Sequence, residues 1–330
     1  MKRFTVFVTR EIPKPGLDLL ATRCDYHIGT CENRPLTERE IREGLKNADG
    51  LLSLLTEKVT RSIMEDHPVK IVANCAVGYD NVDVEAATAL GIPVTNTPGV
   101  LTETTADFAF CLLLASARRV VEGDRLTRAG KFTGWGMMML LGNDVHGKTL
   151  GIIGMGRIGA AVARRGKGFG MSIIYFDSSR NHAIEQELGA QFTSLDDVFR
   201  NADFVSLHIP LNAETRHLVG RRELSMMKPT AHLVNTSRGP VVDERALLEA
   251  LRDRSIAGAA LDVYEREPEV QPGLADLNNV VLAPHIASAS VETRTLMATM
   301  AAANILAVVE GQRPPNLVNP GVYARGQAGQ

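Results

Sequence analysis

Residues 150–159 read Leu-Gly-Ile-Ile-Gly-Met-Gly-Arg-Ile-Gly, a short apolar strand that runs into three spaced glycines and then into a helical stretch, Ala160 to Phe169. This run constrains the fold more than any other feature of the chain. Gly154 allows the tight turn off the strand, Gly156 carries no side chain to hold the backbone away from a pyrophosphate, and Gly159 lets the helix pack close to the sheet. The unpaired amides at the helix start then face an anion. A second strand, Ser172 to Phe176, ends at Asp177, 18 residues after the last glycine, where a carboxylate can accept hydrogen bonds from ribose hydroxyls. Strand, turn, helix and acid together read as a dinucleotide site.

A parallel sheet must surround such a turn, and the rest of the chain reads accordingly. From residue 1 to about 100, strand and helix candidates alternate: Thr5 to Val8, Pro15 to Ala21, Leu36 to Gly44, Gly50 to Ser53, Arg61 to Glu65, Lys70 to Asn74, Val84 to Leu90 and Pro93 to Thr95. A second series starts at Thr149 and continues through Phe204 to His208, His232 to Asn235, Ile256 to Leu261 and Val280 to Ala283. Alternation at this pitch predicts α/β architecture with parallel sheets. Between the series, Leu101 to Ala129 is expected to form one long helix, and Val291 to Glu310 a last one, closed by Gly311, Pro314 and Pro315. The simplest path leaves the first unit near residue 100, builds the nucleotide unit over 101–286, and returns at 287–330. The final ten residues, rich in Gly and Gln, are expected to fray.

Composition narrows the function classes. With 330 residues, 45% of them apolar, the chain can bury two cores of ordinary size. A net charge of -2, with no stretch concentrating Lys and Arg, argues against nucleic acid as a partner. Arg157, Arg164, Arg165 and Lys167 cluster on one predicted helix and read as a solvated face. Cys24, Cys31, Cys75 and Cys111 lack paired short spacing, so they are expected to be reduced thiols of a cytoplasmic protein, with no metal site. Met1 to Arg10 alternates like a first strand and is followed by no export signal. The most apolar run, Phe108 to Ala117, is about half the length that spans a bilayer and reads as a buried helix.

Ligands of open parallel sheets bind beyond the carboxyl ends of the strands. The strand ending at Asn235 is followed by Thr236-Ser237-Arg238-Gly239, that ending at Leu261 by Asp262 and then Glu265 to Pro268, and that ending at Ala283 by Pro284-His285. A guanidinium, a carboxylate and an imidazole thus come from three successive strand ends. The set suits reduction of a carbonyl. Arg238 offers a planar fork of donors to a carboxylate or carbonyl oxygen, His285 can donate a proton near working pH, and Glu267 beside it would favour the imidazolium and fix the ring. Singly, an arginine at a helix start, a glutamate before proline and a histidine in a core have duller explanations; jointly they do not.

Gly154-Met-Gly-Arg-Ile-Gly159, Asn235-Thr-Ser-Arg-Gly-Pro-Val-Val-Asp243, Ala260-Leu-Asp-Val-Tyr-Glu-Arg-Glu-Pro268 and Ala283-Pro-His-Ile-Ala-Ser288 together resemble the D-2-hydroxyacid dehydrogenase family, and most of all its glyoxylate and hydroxypyruvate reductase branch. The likeness runs to about Asn319. It implies a Rossmann dinucleotide-binding domain with a flavodoxin-like substrate domain, and Arg238, Glu267 and His285 as the catalytic set. Asn74-Cys-Ala-Val-Gly-Tyr-Asp-Asn81 resembles the loop whose amides hold the substrate carboxylate, which carries over to Val77 and Gly78, with the pocket shaped around Leu54 and Leu55. Trp135, ahead of Met137 to Leu141, resembles the segment that reaches towards a neighbouring active site in a homodimer, although a lone tryptophan can equally be a core anchor. The long helix would be the dimer surface. Thr105, Arg157, Ile158, Pro210, Thr236 and Asp262 match positions lining the cofactor groove.

The run Asp177-Ser178-Ser179-Arg180 departs from the nearest branch, whose members often prefer NADPH and carry a basic residue, with no acid, at this place. Asp177 repels a ribose 2′-phosphate whereas Arg180 can bind one, and the charge at the strand end favours NAD over NADP. The expected reaction is reduction of a small 2-oxo acid to the D-2-hydroxy acid in a cleft that closes between two domains. Phosphite oxidation is a rival on the same fold, disfavoured because Val77 stands where a lysine is expected. Phosphoglycerate oxidation lacks its regulatory extension here, and a nicotinamide-sensing corepressor would need a tail or basic arm that the sequence does not display.

Overall fold

The computed structural model describes residues 3–30 and 34–324; Cys31 and the last six residues, with their expected fraying, lie outside the described residues. Every strand pairing in the described sheets is parallel. The chain divides into two compact units, residues 1–101 with 289–330, and residues 102–288.

In the first unit, strands β1 (Phe4–Val8), β2 (Cys24–Ile28), β3 (Gly50–Ser53), β4 (Val72–Asn74) and β5 (Val94–Thr95) form one sheet in the order β2-β1-β3-β4-β5, the flavodoxin-like order. Helices α1 (Lys14–Ala21), α2 (Glu38–Leu45), α3 (Arg61–Asp66) and α4 (Val84–Ala89) connect them. β3 and β4 are buried throughout, as central parallel strands must be, while β2 exposes Asp25, Tyr26 and His27 at the sheet edge. That polar edge explains why β2 carries too little hydrophobic pattern to stand out in the sequence. α2 begins with a capping box in which the Glu40 amide donates to the Thr37 hydroxyl and the Thr37 amide donates back to the Glu40 carboxylate. The last long helix, α12 (Val291–Val309), belongs to this unit. A β-carbon on Gly16 of α1 would stand 2.7 Å from the Ala298 β-carbon, so the glycine is what lets α1 lie against α12.

In the second unit, β6 (Thr149–Ile153), β7 (Ser172–Phe176), β8 (Gln191–Phe192), β9 (Phe204–Leu207), β10 (His232–Asn235), β11 (Gly258–Leu261) and β12 (Val280–Leu282) pair in the order β12-β11-β10-β9-β6-β7-β8. This is a doubly wound sheet whose direction of winding reverses between β6 and β9. Helices α5 (Thr102–Ala117), α7 (Arg157–Gly168), α8 (His182–Leu188), α9 (Leu195–Asn201), α10 (Arg221–Met226) and α11 (Glu244–Arg252) cover its faces in two apolar layers, while α6 (Val120–Arg128) buries no residue. Among the described residues no helix is long and apolar enough to cross a membrane.

One expected element is corrected. The stretch from Leu101 to Ala129 is not a single helix: α5 ends at Ala117, and Arg119 stands at φ +53°, outside helical space. The Asn143 amide donates to the Ala117 carbonyl at 2.8 Å, and the Arg119 guanidinium turns to the Glu122 carboxylate at 2.7 and 2.8 Å. The first contact satisfies a carbonyl that a continuous helix would have used, and the second anchors the residue at the break.

Candidate active site

The glycine turn has the geometry its spacing requires. Gly154 stands at φ +94°, in the region that favours glycine, and a β-carbon there would lie 2.6 Å from the His208 carbonyl oxygen. A β-carbon on Gly159 would lie 2.0 Å from the Gly154 carbonyl oxygen, so only glycine lets α7 sit this close to the turn. A β-carbon on Gly156, the residue before α7, would meet nothing within 4 Å, and the helix start there has no side-chain cap. The amides of the first turn of α7 therefore open onto free space, as an anion site needs.

Asp177, at the end of β7, accepts from the Met155 amide at 2.6 Å through Oδ2 and from the Ser178 hydroxyl at 3.1 Å through Oδ1. Its carboxylate is thereby fixed on the glycine turn. Arg180 is turned elsewhere: it donates to Glu185 at 3.0 and 2.8 Å and lies over the Phe192 ring. That guanidinium, followed by the Tyr175 hydroxyl, holds the Glu185 carboxyl down at about 2. Arg157 is exposed and Ile158 half-buried at the start of α7, and Pro210 is exposed after β9. Thr105 and Thr236 are buried, and the Thr236 hydroxyl has no hydrogen-bond partner. A buried hydroxyl left unpaired after β10, in the same unit as an uncapped helix start, suits a polar ligand that completes the site. The residues present fit a nicotinamide dinucleotide.

The catalytic candidates gather at the ends of β10, β11 and β12. His285 Nδ1 is 2.8 Å from Glu267 Oε2, with both side chains about a quarter exposed, at 24% and 29%. Glu267 in turn accepts from the Tyr264 amide at 3.1 Å. His285 stands at φ +55° in a sharp turn, and Asp262 holds that turn from below. Its carbonyl accepts from the His285 amide at 2.8 Å, and its fully buried carboxyl accepts from the Ile286 and Ala287 amides at 2.8 Å each. Burial pushes the Asp262 carboxyl up, against the opposing pull of those two amides.

Arg238 follows β10 in extended conformation and donates to the Ser237 carbonyl at 2.9 Å. Asn235 ties this turn together by donating to the Arg238 carbonyl at 2.9 Å and accepting from the Ser237 amide and hydroxyl. The next residue, Gly239, joins it to the neighbouring loop: a β-carbon there would sit 1.9 Å from the Tyr264 carbonyl carbon. Arg238, Glu267 and His285 are thus carried by three loops that pack on or bond to one another. Sequence reasoning misses Tyr264, which donates its hydroxyl to the Ala283 carbonyl at 2.8 Å and so braces the Glu267 loop against the His285 strand. Burial, then the nearby carboxylates of Asp262, Glu244 and Glu267, pushes its phenol up to about 12. Its only sequence signal is its place three residues before Glu267 in the same motif.

The remaining candidates lie elsewhere. Val77 and Gly78 are half-buried in the loop after β4, and Leu54 and Leu55 in the loop after β3, all in the first unit. Trp135 is 77% exposed, flanked by exposed Met137 and Met138, so it is not an anchor of this chain's core. Of the basic cluster on α7, Arg164 pairs with Glu187 and Arg165 with Asp107 and Glu103 at the surface.

A doubly wound sheet with an open glycine turn and a histidine–carboxylate pair beyond its strand ends defines a dinucleotide-dependent oxidoreductase. Comparison with known proteins makes the assignment specific. Residues 110–287 match the family model "D-isomer specific 2-hydroxyacid dehydrogenase, NAD binding domain". A glyoxylate reductase of Korarchaeum cryptofilum is 56% identical over 318 residues, 95% of each chain. A solved protein of Thermus thermophilus superposes with a TM-score of 0.88 at 44% identity, over 96% of this chain and 100% of that one. An NADPH-dependent glyoxylate/hydroxypyruvate reductase of Sinorhizobium meliloti, solved with NADP and malonate, superposes with a TM-score of 0.85 at 34% identity, over 97% and 98%. The chain belongs to the D-isomer specific 2-hydroxyacid dehydrogenase family.

Proposed function

We propose that the protein reduces small 2-oxo acids, glyoxylate and hydroxypyruvate first, to the D-2-hydroxy acids. The observation that carries this reading is the His285–Glu267 pair at 2.8 Å, set by Asp262 in the same unit as the glycine turn. The names of the relatives at about half identity support it.

The dinucleotide is proposed to lie on Gly154, Gly156, Arg157, Ile158 and Gly159, with its ribose at Asp177 and Ser178 and its other end near Pro210, Thr105, Thr236 and Asp262. When bound in reduced form it supplies a hydride to the carbonyl carbon. His285 donates the proton that the carbonyl oxygen takes up, through Nε2, since Nδ1 is engaged by Glu267. Glu267 orients the ring and balances its charge. Arg238 clamps the substrate with its fork of donors, Val77 and Gly78 offer backbone amides to the carboxylate, and Leu55 borders the substrate's remaining substituent.

NAD is proposed as the preferred cofactor. Asp177 places a negative charge where a 2′-phosphate would sit, and Arg180, which could answer it, is held by Glu185. A homodimer is proposed, with Trp135 and the α5 surface at its contact. The free thiols of Cys24, Cys75 and Cys111 agree with a cytoplasmic setting.

The test is loss of absorbance at the reduced-nicotinamide band with glyoxylate or hydroxypyruvate, NADH and NADPH in parallel. Turnover with either acid, faster with NADH by about tenfold or more, is expected. No turnover with any small 2-oxo acid, together with NAD reduction by phosphite, would replace this reading with the rival reaction.

A further inference from the structure

Beneath the loops that follow β1, β3 and β4 lies a connected set of buried polar groups with no part in the proposed reaction. Glu57 is fully buried, and its carboxyl group meets donors on every side. Oε2 accepts from the Thr9 hydroxyl at 3.1 Å and the Leu54 amide at 3.1 Å. Oε1 accepts from the Thr56 hydroxyl at 3.0 Å and pairs with Arg10 Nε at 3.2 Å. Asn81 donates to the Leu54 and Glu57 carbonyls at 3.0 Å each and exchanges hydrogen bonds with Asn74 at 3.1 and 3.2 Å. Asn74, itself fully buried, donates to the Gly78 carbonyl at 2.9 Å.

Three side chains thus connect the carbonyl of Gly78 to both the amide and the carbonyl of Leu54. Stability alone does not account for the arrangement, because a buried ion pair seldom outdoes apolar packing of the same volume. A densely connected buried network does fix loop positions, although Arg10 Nε is held here by charge without a hydrogen bond. We propose that Glu57, Asn81 and Asn74 are positioning residues that set the spacing between the Val77–Gly78 amides and the Leu54–Leu55 loop, and thereby the size of 2-oxo acid admitted. The inference rests on the assignment of those loops to the substrate. Glyoxylate and hydroxypyruvate differ by one hydroxymethyl group, so a displacement of about 1 Å in one loop is enough to re-rank them.

Two variants of the full chain test this. Glu57→Gln keeps the shape but turns a donor towards donors, and Asn81→Ala removes both bonds to the loop after β3 while leaving the charge alone. For each, kcat and KM with both acids, NADH affinity, the melting transition, and calorimetric binding of oxalate to the NADH-loaded protein are measured. KM for both acids is expected to rise about tenfold, with kcat within about threefold and the ratio of kcat/KM between the acids changed. Oxalate binding should weaken in parallel and NADH affinity stay within about twofold, because the dinucleotide residues belong to the other unit. If Glu57→Gln fails to melt cooperatively, Asn81→Ala carries the same readouts. Unchanged KM and unchanged oxalate affinity in a folded variant overturn the proposal, as does an unchanged ratio of kcat/KM between the two acids or a parallel loss of substrate and NADH binding. A wild type that turns over neither acid yet binds oxalate more tightly than the variants refutes the proposed reaction and supports the positioning role. A wild type that does not bind oxalate overturns the role.

Discussion

His285 holds a left-handed backbone conformation, which costs a residue with a β-carbon on the order of 1 kcal/mol or more and persists only where its surroundings impose it. Here they are the three hydrogen bonds that Asp262 makes to consecutive amides. Asp262 also lies in the proposed cofactor groove, so its replacement tests the turn only if cofactor binding is followed separately. Asp262→Asn keeps the shape but presents one oxygen to two amides. We expect kcat to fall about 10- to 100-fold with NADH affinity changed by less than about threefold, measured by steady-state kinetics and fluorescence titration. The residue types of the site were legible because each follows a strand of readable pattern. The brace was not: Tyr264 and Asp262 act through backbone contacts that no spacing reveals.

The glycines of α7 allow an internally controlled comparison at the level of the element. Gly159→Ala places a methyl group 2.0 Å from a main-chain oxygen, whereas Gly168→Ala at the end of the same helix meets nothing within 4 Å. The first is expected to destabilise by roughly 2 kcal/mol or more and to lose dinucleotide binding, the second to be neutral or to stabilise by about 0.5–1 kcal/mol, as seen in denaturant midpoints. The central strands announced themselves by apolar runs buried on both faces. β2 and β8 did not, because their residues are mostly exposed and carry no apolar run, and the break at Arg119 was hidden because the amide that satisfies the Ala117 carbonyl there, Asn143, is distant in sequence.

Two properties belong to the whole molecule. His232 is buried against Phe204, and desolvation pulls it down to about 4. Asn143 donates to its Nε2 at 3.3 Å, so Nδ1 carries the proton shared with the Ser116 hydroxyl at 2.8 Å. Because the folded value lies below the unfolded value of about 6.5, the unfolded chain takes up a proton that the folded chain refuses, and stability falls as pH drops from about 6.5 towards 4, by up to about 3 kcal/mol. His232→Asn should lessen the dependence of melting temperature on pH in that interval without abolishing it, because His208, which desolvation pulls down to about 3, titrates over the same range. Trp135 is the single tryptophan and is exposed in one copy, so dilution through a dimer–monomer equilibrium is expected to red-shift its emission as light-scattering mass halves. Constant mass at one copy would remove the proposed dimer.

The proton donor is the centre of the proposed chemistry, and His285→Ala tests it most directly, by turnover of glyoxylate at saturating NADH with NADH affinity followed alongside. The expected result is a loss of about 10²- to 10⁴-fold in kcat with NADH binding kept. Turnover at the wild-type rate would contradict the role given to His285, and with it the reading of the site.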